Sequence, residues 1–213
     1  MKTFGGSSNR RALGLRRIAL LIATSGALLL NSVSAALAPD TDPDADIDVR
    51  ASKDGEIVVV DVDLKVTATQ DEVWNVLTDY DHMADFVANL ESSSVIARTG
   101  NTLDVMQKGT AHYGLLSFPF QSVRRVVLTP RREIRSVIMS GEMTGSEIVT
   151  RIAADGTTTQ VSVRSRYVPT IWIPPVVGTS VIASETRKQW FTLREEVLRR
   201  RAQAPRPTAA ARW

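Results

Sequence analysis

VTATQDEVWNVLTDYDHMADF, Val66 to Phe86, is the stretch whose reading decides the fold. It is a helical pattern set between two regions of β pattern. Thr67 or Thr69 can cap a helix that begins near Gln70, with Asp71 and Glu72 in the first turn, where the helix dipole favours acids. Val73, Trp74 and Leu77 give that helix an apolar stripe. Asp79-Tyr80-Asp81 then breaks it, and Met83, Phe86 and Val87 make a second short apolar turn. Upstream, Ile57 to Thr67 alternates: Val58, Val60, Val62, Leu64 and Val66 share one face, and Asp61, Asp63 and Lys65 share the other.

Downstream, Val95 to Tyr167 reads as one strand after another. Gly100-Asn101, Thr129-Pro130-Arg131, Gly141 to Gly145 and Asp155-Gly156 supply the turns. IWIPP at 171–175 halts the sheet, since Pro is tolerated just before a helix or in its first turn and not within it. From about Val177 to Arg201 the period is helical again. Ile182, Thr186, Trp190 (or Gln189), Leu193 and Val197 lie along one side, and Phe191 and Leu198 widen the stripe. The expected fold class is α+β: an antiparallel sheet of about seven strands, two short helices after the first strand, and one long C-terminal helix. That helix is the element long enough to cover the sheet's apolar face, and a sheet wrapped around a helix leaves space between them.

The flanks differ in composition. Residues 1–35 have a basic start (Lys2, Arg10, Arg11, Arg16, Arg17), an apolar run from Ile18 to Leu30, then small residues, and they contain no acid. The run is short for a bilayer core of about 30 Å, so the segment reads as a cleavable secretory signal rather than a membrane span. Arg10-Arg11 raises twin-arginine export, but Ala-Leu-Gly after the pair fits it poorly. The expected location is therefore periplasmic or secreted. The whole chain has 26 Lys+Arg against 23 Asp+Glu; without the five in the signal it has 21 against 23, a net charge of −2. No basic face argues for nucleic acid.

Residues 36–55 read as a disordered acidic linker. Their DxDxD look invites a calcium reading but lacks the Gly and distal Glu of a calcium loop. Residues 202–213 read as a disordered basic tail that could touch anionic lipid transiently. Cysteine is absent and only His82 and His112 are present, so neither disulfides nor a thiolate- or His-rich metal site is expected, and no cofactor is implied.

The TATQDEVWNVLTDYDHMADFV pattern, the meander, and YVPTIWIPPVV leading into the last helix together resemble the START-like (SRPBCC) superfamily, in its polyketide cyclase/dehydrase and coenzyme Q-binding-like branch. The resemblance spans Glu56 to Arg201. It implies a helix-grip fold with a cavity between sheet and C-terminal helix, in which members hold lipids, quinones, polyketides or other apolar molecules. The residues carrying it define a fold and are not a catalytic signature.

For chemistry, no GxSxG, HExxH or phosphate loop is present. His112, on a strand beside Tyr113, is the weak candidate for an acid/base group, with a structural residue as the plainer reading. Asp79 and Asp81 could form a carboxylate pair or simply cap and turn the chain. Arg124 and Arg125 fall on opposite faces of one strand, so one points inward, to hold a ligand's headgroup or to pair with an acid such as Glu147. The candidate ligand-binding set is Trp74, Phe86, Met106, Tyr113, Phe118, Phe120, Arg124, Met139, Trp172 and Trp190, because aromatic and thioether side chains line adaptable apolar pockets. Access is expected at the segments Leu115 to Phe120 and Ile171 to Val177. Three functions follow: an exported carrier of an apolar small molecule or lipid, an aromatase/cyclase-type enzyme, or an interaction domain whose cavity has closed.

Overall fold

The computed structural model describes residues 46–113, 116–168 and 178–204. The expected export signal at 1–35, Trp172 and the tail beyond Ala204 lie outside the described residues. The described chain runs β1 (Ile47–Asp54), β2 (Ile57–Val66), α1 (Gln70–Leu77), a 3₁₀ helix (Tyr80–Asp85), β3 (Leu90–Thr99), β4 (Thr102–Tyr113), β5 (Leu116–Thr129), β6 (Glu133–Gly141), β7 (Glu147–Asp155), β8 (Thr158–Tyr167) and α2 (Thr179–Gln203).

All neighbouring strands pair antiparallel in the order β1-β2-β8-β7-β6-β5-β4-β3. Strands β3 to β8 form a meander, while α1 and the 3₁₀ helix carry the chain from β2 to the far edge at β3. This is the helix-grip architecture expected from the sequence: a curved antiparallel sheet with a long C-terminal helix.

Two expectations are corrected. The sheet has eight strands, and the extra one lies in the stretch read as an acidic linker. Ile47 and Val49 are only 3% and 6% exposed, while Asp48 and Arg50 point outward, where Arg50 Nη2 donates to Asp63 at 2.9 Å. The acids that gave the stretch its linker composition occupy the solvent face of a period-two strand, and the apolar partners between them pair with Leu64, Val62 and Val60. The two short helices consequently follow the second strand. At the other end α2 continues through Gln203, two residues into the expected tail.

The inward faces of the strands make the core. Val60, Val62, Val66, Leu103, Val105, Val126 and Val161 are almost fully enclosed, joined by Val73 and Val76 of α1. Burying each such side chain stabilises the fold by about 1.5–3 kcal/mol. Helix α1 starts with a capping box: Glu72 N–H donates to Thr69 Oγ1 at 3.3 Å, and Thr69 N–H to the Glu72 carboxylate at 2.7 Å. Gln70 Nε2 donates to the carbonyls of Arg131 (2.7 Å) and Ile152 (3.2 Å), fixing α1 over the β5–β6 turn and β7. The C-terminal end of α2 is tied to the break after α1, where Arg200 donates to Asp79 at 2.7 Å and to the buried Glu196 at 2.6 Å.

Candidate functional site

Between the sheet and α2 lies a cavity of about 340 Å³. Strand β5 contributes the longest run of its wall. Phe118, Phe120, Ser122 and Arg124 share the inward face at period two. Across from them, Ile182, Glu185, Thr186, Gln189, Trp190 and Leu193 line it from α2. Leu77, Tyr80 and Met83 close one side. Ile134, Ser136, Ile138, Ile148, Thr150, Val163, Ser165 and Tyr167 complete the sheet side.

The walls are largely apolar, with a small set of polar groups. Ser122, Ser136, Thr150, Ser165 and Gln107 are buried. Gln107 Nε2 donates to Ser93 Oγ at 3.1 Å and approaches Met83 Sδ at 3.5 Å. Arg124 is half-buried, its remaining surface bordering the cavity, and its Nε is wholly buried with no hydrogen-bond partner among the described residues. Burial pulls its guanidinium below the ordinary pKa, and the phenols of Tyr80 and Tyr167 partly offset this. Arginine nonetheless stays charged at physiological pH. Tyr80 is itself 5% exposed, and burial pushes its phenol up to about 12, against the pull of Arg124. Arg125, on the opposite face, is paired with Asp104 at 2.9 Å.

The inward arginine is therefore Arg124. The alternative pairing with Glu147 is not made, because Glu147 is exposed on β7. Of the other aromatic and thioether candidates, Phe118, Phe120 and Trp190 line the cavity. Tyr113 belongs to β4, but its side chain lies outside the described set, as does the whole of Trp172.

Four candidates stand elsewhere. Met106 is 38% exposed because it alternates with the inward Val105 and Gln107. Met139 is 47% exposed, since a β-bulge places it without a partner between Ile138, which faces Arg124, and Ser140, which faces Val123. Trp74 packs against the core and borders a shallow surface recess with Asp71, Asn75, Pro130 and Arg131. Phe86 also packs against the core, and the Arg200 guanidinium lies 5.3 Å from its ring centroid.

His112 borders the cavity from an exposed position, with Nδ1 3.0 Å from Ser117 Oγ. Asp79 and Asp81 form no catalytic pair: Asp79 is held by His82 (2.7 Å) and Arg200, and Asp81 Oδ1 accepts from Val95 N–H at 2.8 Å. Of the segment Leu115 to Phe120, expected as an access loop, the part from Leu116 on is the start of β5, paired with 109–113 of β4. Ile171 to Val177 lies outside the described residues.

The residues that sequence reasoning missed are Tyr80, Gln107, Tyr167 and the buried hydroxyls. The signal for two of the hydroxyls was available: Ser136 falls on the inward parity of its strand between Ile134 and Ile138, and Thr150 between Ile148 and Ile152.

Residues 66–190 match the family model described as polyketide cyclase / dehydrase and lipid transport. No curated protein sequence matches the chain. Among solved structures, a START superfamily protein from Mycobacterium smegmatis superposes with a TM-score of 0.57 at 13% identity, over 66% of this chain and 97% of that one. The Zhui aromatase/cyclase from Streptomyces sp. R1128 gives 0.55 at 17% identity, over 68% and 95%. The STAR-related lipid transfer protein from Xanthomonas axonopodis gives 0.55 at 12% identity, over 70% and 98%. These identities speak to the fold alone. With that model matched over more than half of the chain, the chain belongs to the polyketide cyclase / dehydrase and lipid transport family.

Proposed function

We propose that this protein is an exported carrier that holds one hydrophobic small molecule or lipid in the cavity between the sheet and α2. The observation that carries the reading is the cavity itself: about 340 Å³, at the lower end of ligand-pocket sizes of roughly 300–1,000 Å³, with apolar walls and a few polar groups. Binding would draw on apolar burial at about 25 cal/mol per Å². The polar groups would set orientation. The basic, then apolar, then small-residue pattern of residues 1–35 supports export.

Native mass spectrometry of the protein purified from its own cell envelope, followed by solvent extraction, tests the carrier reading. A stoichiometric apolar adduct released unchanged is the expected result. A clean apo mass that also fails to take up added fatty acid, quinone or polyketide would refute it. N-terminal sequencing of the same preparation checks export, with a start near Ala36 expected.

The aromatase/cyclase reading is favoured by one arrangement, the Tyr80 and Tyr167 phenols beside the Arg124 charge inside the cavity. It requires turnover. A polyketide recovered with a new ring or lacking water after incubation would establish it, and recovery of the unaltered compound rules for the carrier.

A further inference from the structure

Arg124 is a charge that has no counter-ion among the described residues. Its cross-strand partners are apolar: Val105 on β4 and Ile138 on β6. Its neighbours on the same face of β5 are Ser122 and Val126. No acid among the described residues forms an ion pair with it. The two carboxylates that border the cavity are engaged elsewhere, Glu142 accepting from Gln121 N–H at 2.8 Å and Glu185 from Lys188 at 2.8 Å. The segments 114–115 and 169–177 contain no acidic residue. The nearby side chains of Tyr80 and Tyr167 are phenols and supply no carboxylate.

A buried charge is costly unless it is paired. The geometry points to an anionic amphiphile as the ligand: a monocarboxylate whose headgroup sits on the Arg124 guanidinium, with its hydrocarbon body running along Phe120 and Phe118. This deepens the carrier reading and rests on it. A guanidinium fork matches a planar carboxylate with two parallel hydrogen bonds. Phe118 lies six positions before Arg124 on β5, about 20 Å of extended chain, enough for a single alkyl tail of a dozen carbons. Phe118, Phe120, Met143 and Trp190 supply the wall along which it would lie. The ligand enters head first, because the charge is in the middle of a 14-residue strand.

The test compares dodecanoic acid, methyl dodecanoate and dodecanol by calorimetric titration of the full chain at neutral pH, for the wild type, Arg124→Met and Arg124→Lys. The wild type should prefer the acid by at least about tenfold. Arg124→Met should bind the acid no better than the alcohol, keep its alcohol affinity, and melt at the wild-type temperature or above, because an unpaired buried charge has been removed. Arg124→Lys should retain part of the preference.

If all three compounds bind the wild type equally, the anion anchor fails and the carrier reading stands. If none binds, the anion anchor fails, and the carrier reading falls only if quinone and polyketide are refused as well. A fall in melting temperature for both variants, with the acid preference absent, would make Arg124 a structural residue and overturn the proposal.

Discussion

Replacing Gly109 by alanine should destabilise the protein by about 2–4 kcal/mol, although the backbone there needs no unusual dihedral. Gly109 sits on β4 where the chain leaving the 3₁₀ helix crosses it. An added Cβ would lie 1.9 Å from the Asn89 carbonyl oxygen and 3.0 Å from Phe120 Cζ. The obstacle is backbone, so it cannot be cleared by a rotamer change. Moving Asn89 breaks the hydrogen bond that its carbonyl accepts from Thr110 N–H at 3.0 Å. Overpacking costs about 1–3 kcal/mol, and the lost hydrogen bond about 1 kcal/mol more. Asn89, Leu90 and Phe120 also border the cavity, so the same shift should weaken binding of an apolar probe. Gly100 is the control: φ is +57° but nothing lies within 4 Å of a Cβ, so Gly100→Ala should cost only about 1–2 kcal/mol, from conformation alone. Urea unfolding followed by tryptophan fluorescence measures both. A Gly109→Ala loss below that of Gly100→Ala would refute the close-approach argument.

Asp79 links stability to pH at both ends. Its burial raises its pKa, but hydrogen bonds from His82 and Arg200 outweigh this and leave it below the ordinary value. Its contribution is therefore present above the unfolded pKa near 4 and is lost as pH falls through the lower folded value. His82 is raised by its hydrogen bond to Asp79, so its contribution is full below about 6.5 and is lost as pH rises through the folded value. Asp79→Asn should flatten both limbs of a melting-temperature profile, and a profile parallel to wild type across both would sink the argument. Thr69→Ala removes one half of the α1 capping box and should cost about 0.5–2 kcal/mol in chemical unfolding, while Thr69→Ser retains most of it; equal losses would exclude the cap. Ser136→Leu projects into the cavity and should leave thermal stability equal or higher while reducing fatty-acid affinity at least about tenfold; unchanged affinity would show that the ligand lies elsewhere.

The legible parts of this fold are those where one periodicity governs. Val60 to Val66 alternates without exception, and Thr69 with Glu72 announces the start of α1, so these elements were readable from the chain. β1 was hidden because its outward positions are charged and its inward ones few: Ile47, Val49 and Ala51 carry the strand among acids that composition alone assigns to solvent. At the site, Arg124 could be narrowed to one of two adjacent arginines, but which one faces inward needs the parity of β5 relative to α2. Met106 failed as a candidate although its own neighbours, Val105 and Gln107, place it on the outer face. Residue type was weighed there above strand parity. Met139 could not have been placed, because the bulge that turns it outward is a property of the pairing with β5.

The cavity exists because of side-chain size as much as sheet curvature. One row of inward residues crosses the sheet as Val60, Ser165, Ile148, Ser136, Val126 and Leu103, each facing the next across a strand pair. Ser165 and Ser136 flank Ile148, so the middle of the row carries two small side chains where its ends carry valine and leucine. The adjacent row runs Val62, Val163, Thr150, Ile134 and Leu128, again with a hydroxyl residue near its centre. Folding stability alone would favour larger apolar groups at these buried positions, since filling space with hydrocarbon is stabilising and a buried hydroxyl without a partner is not. The ends of each row are packed as a core, and the centres are left small and polar beneath α2. That distribution is what a ligand site demands of a sheet that must also hold itself together. It places room for hydrocarbon and a handful of orienting groups, Arg124 among them, in one cavity.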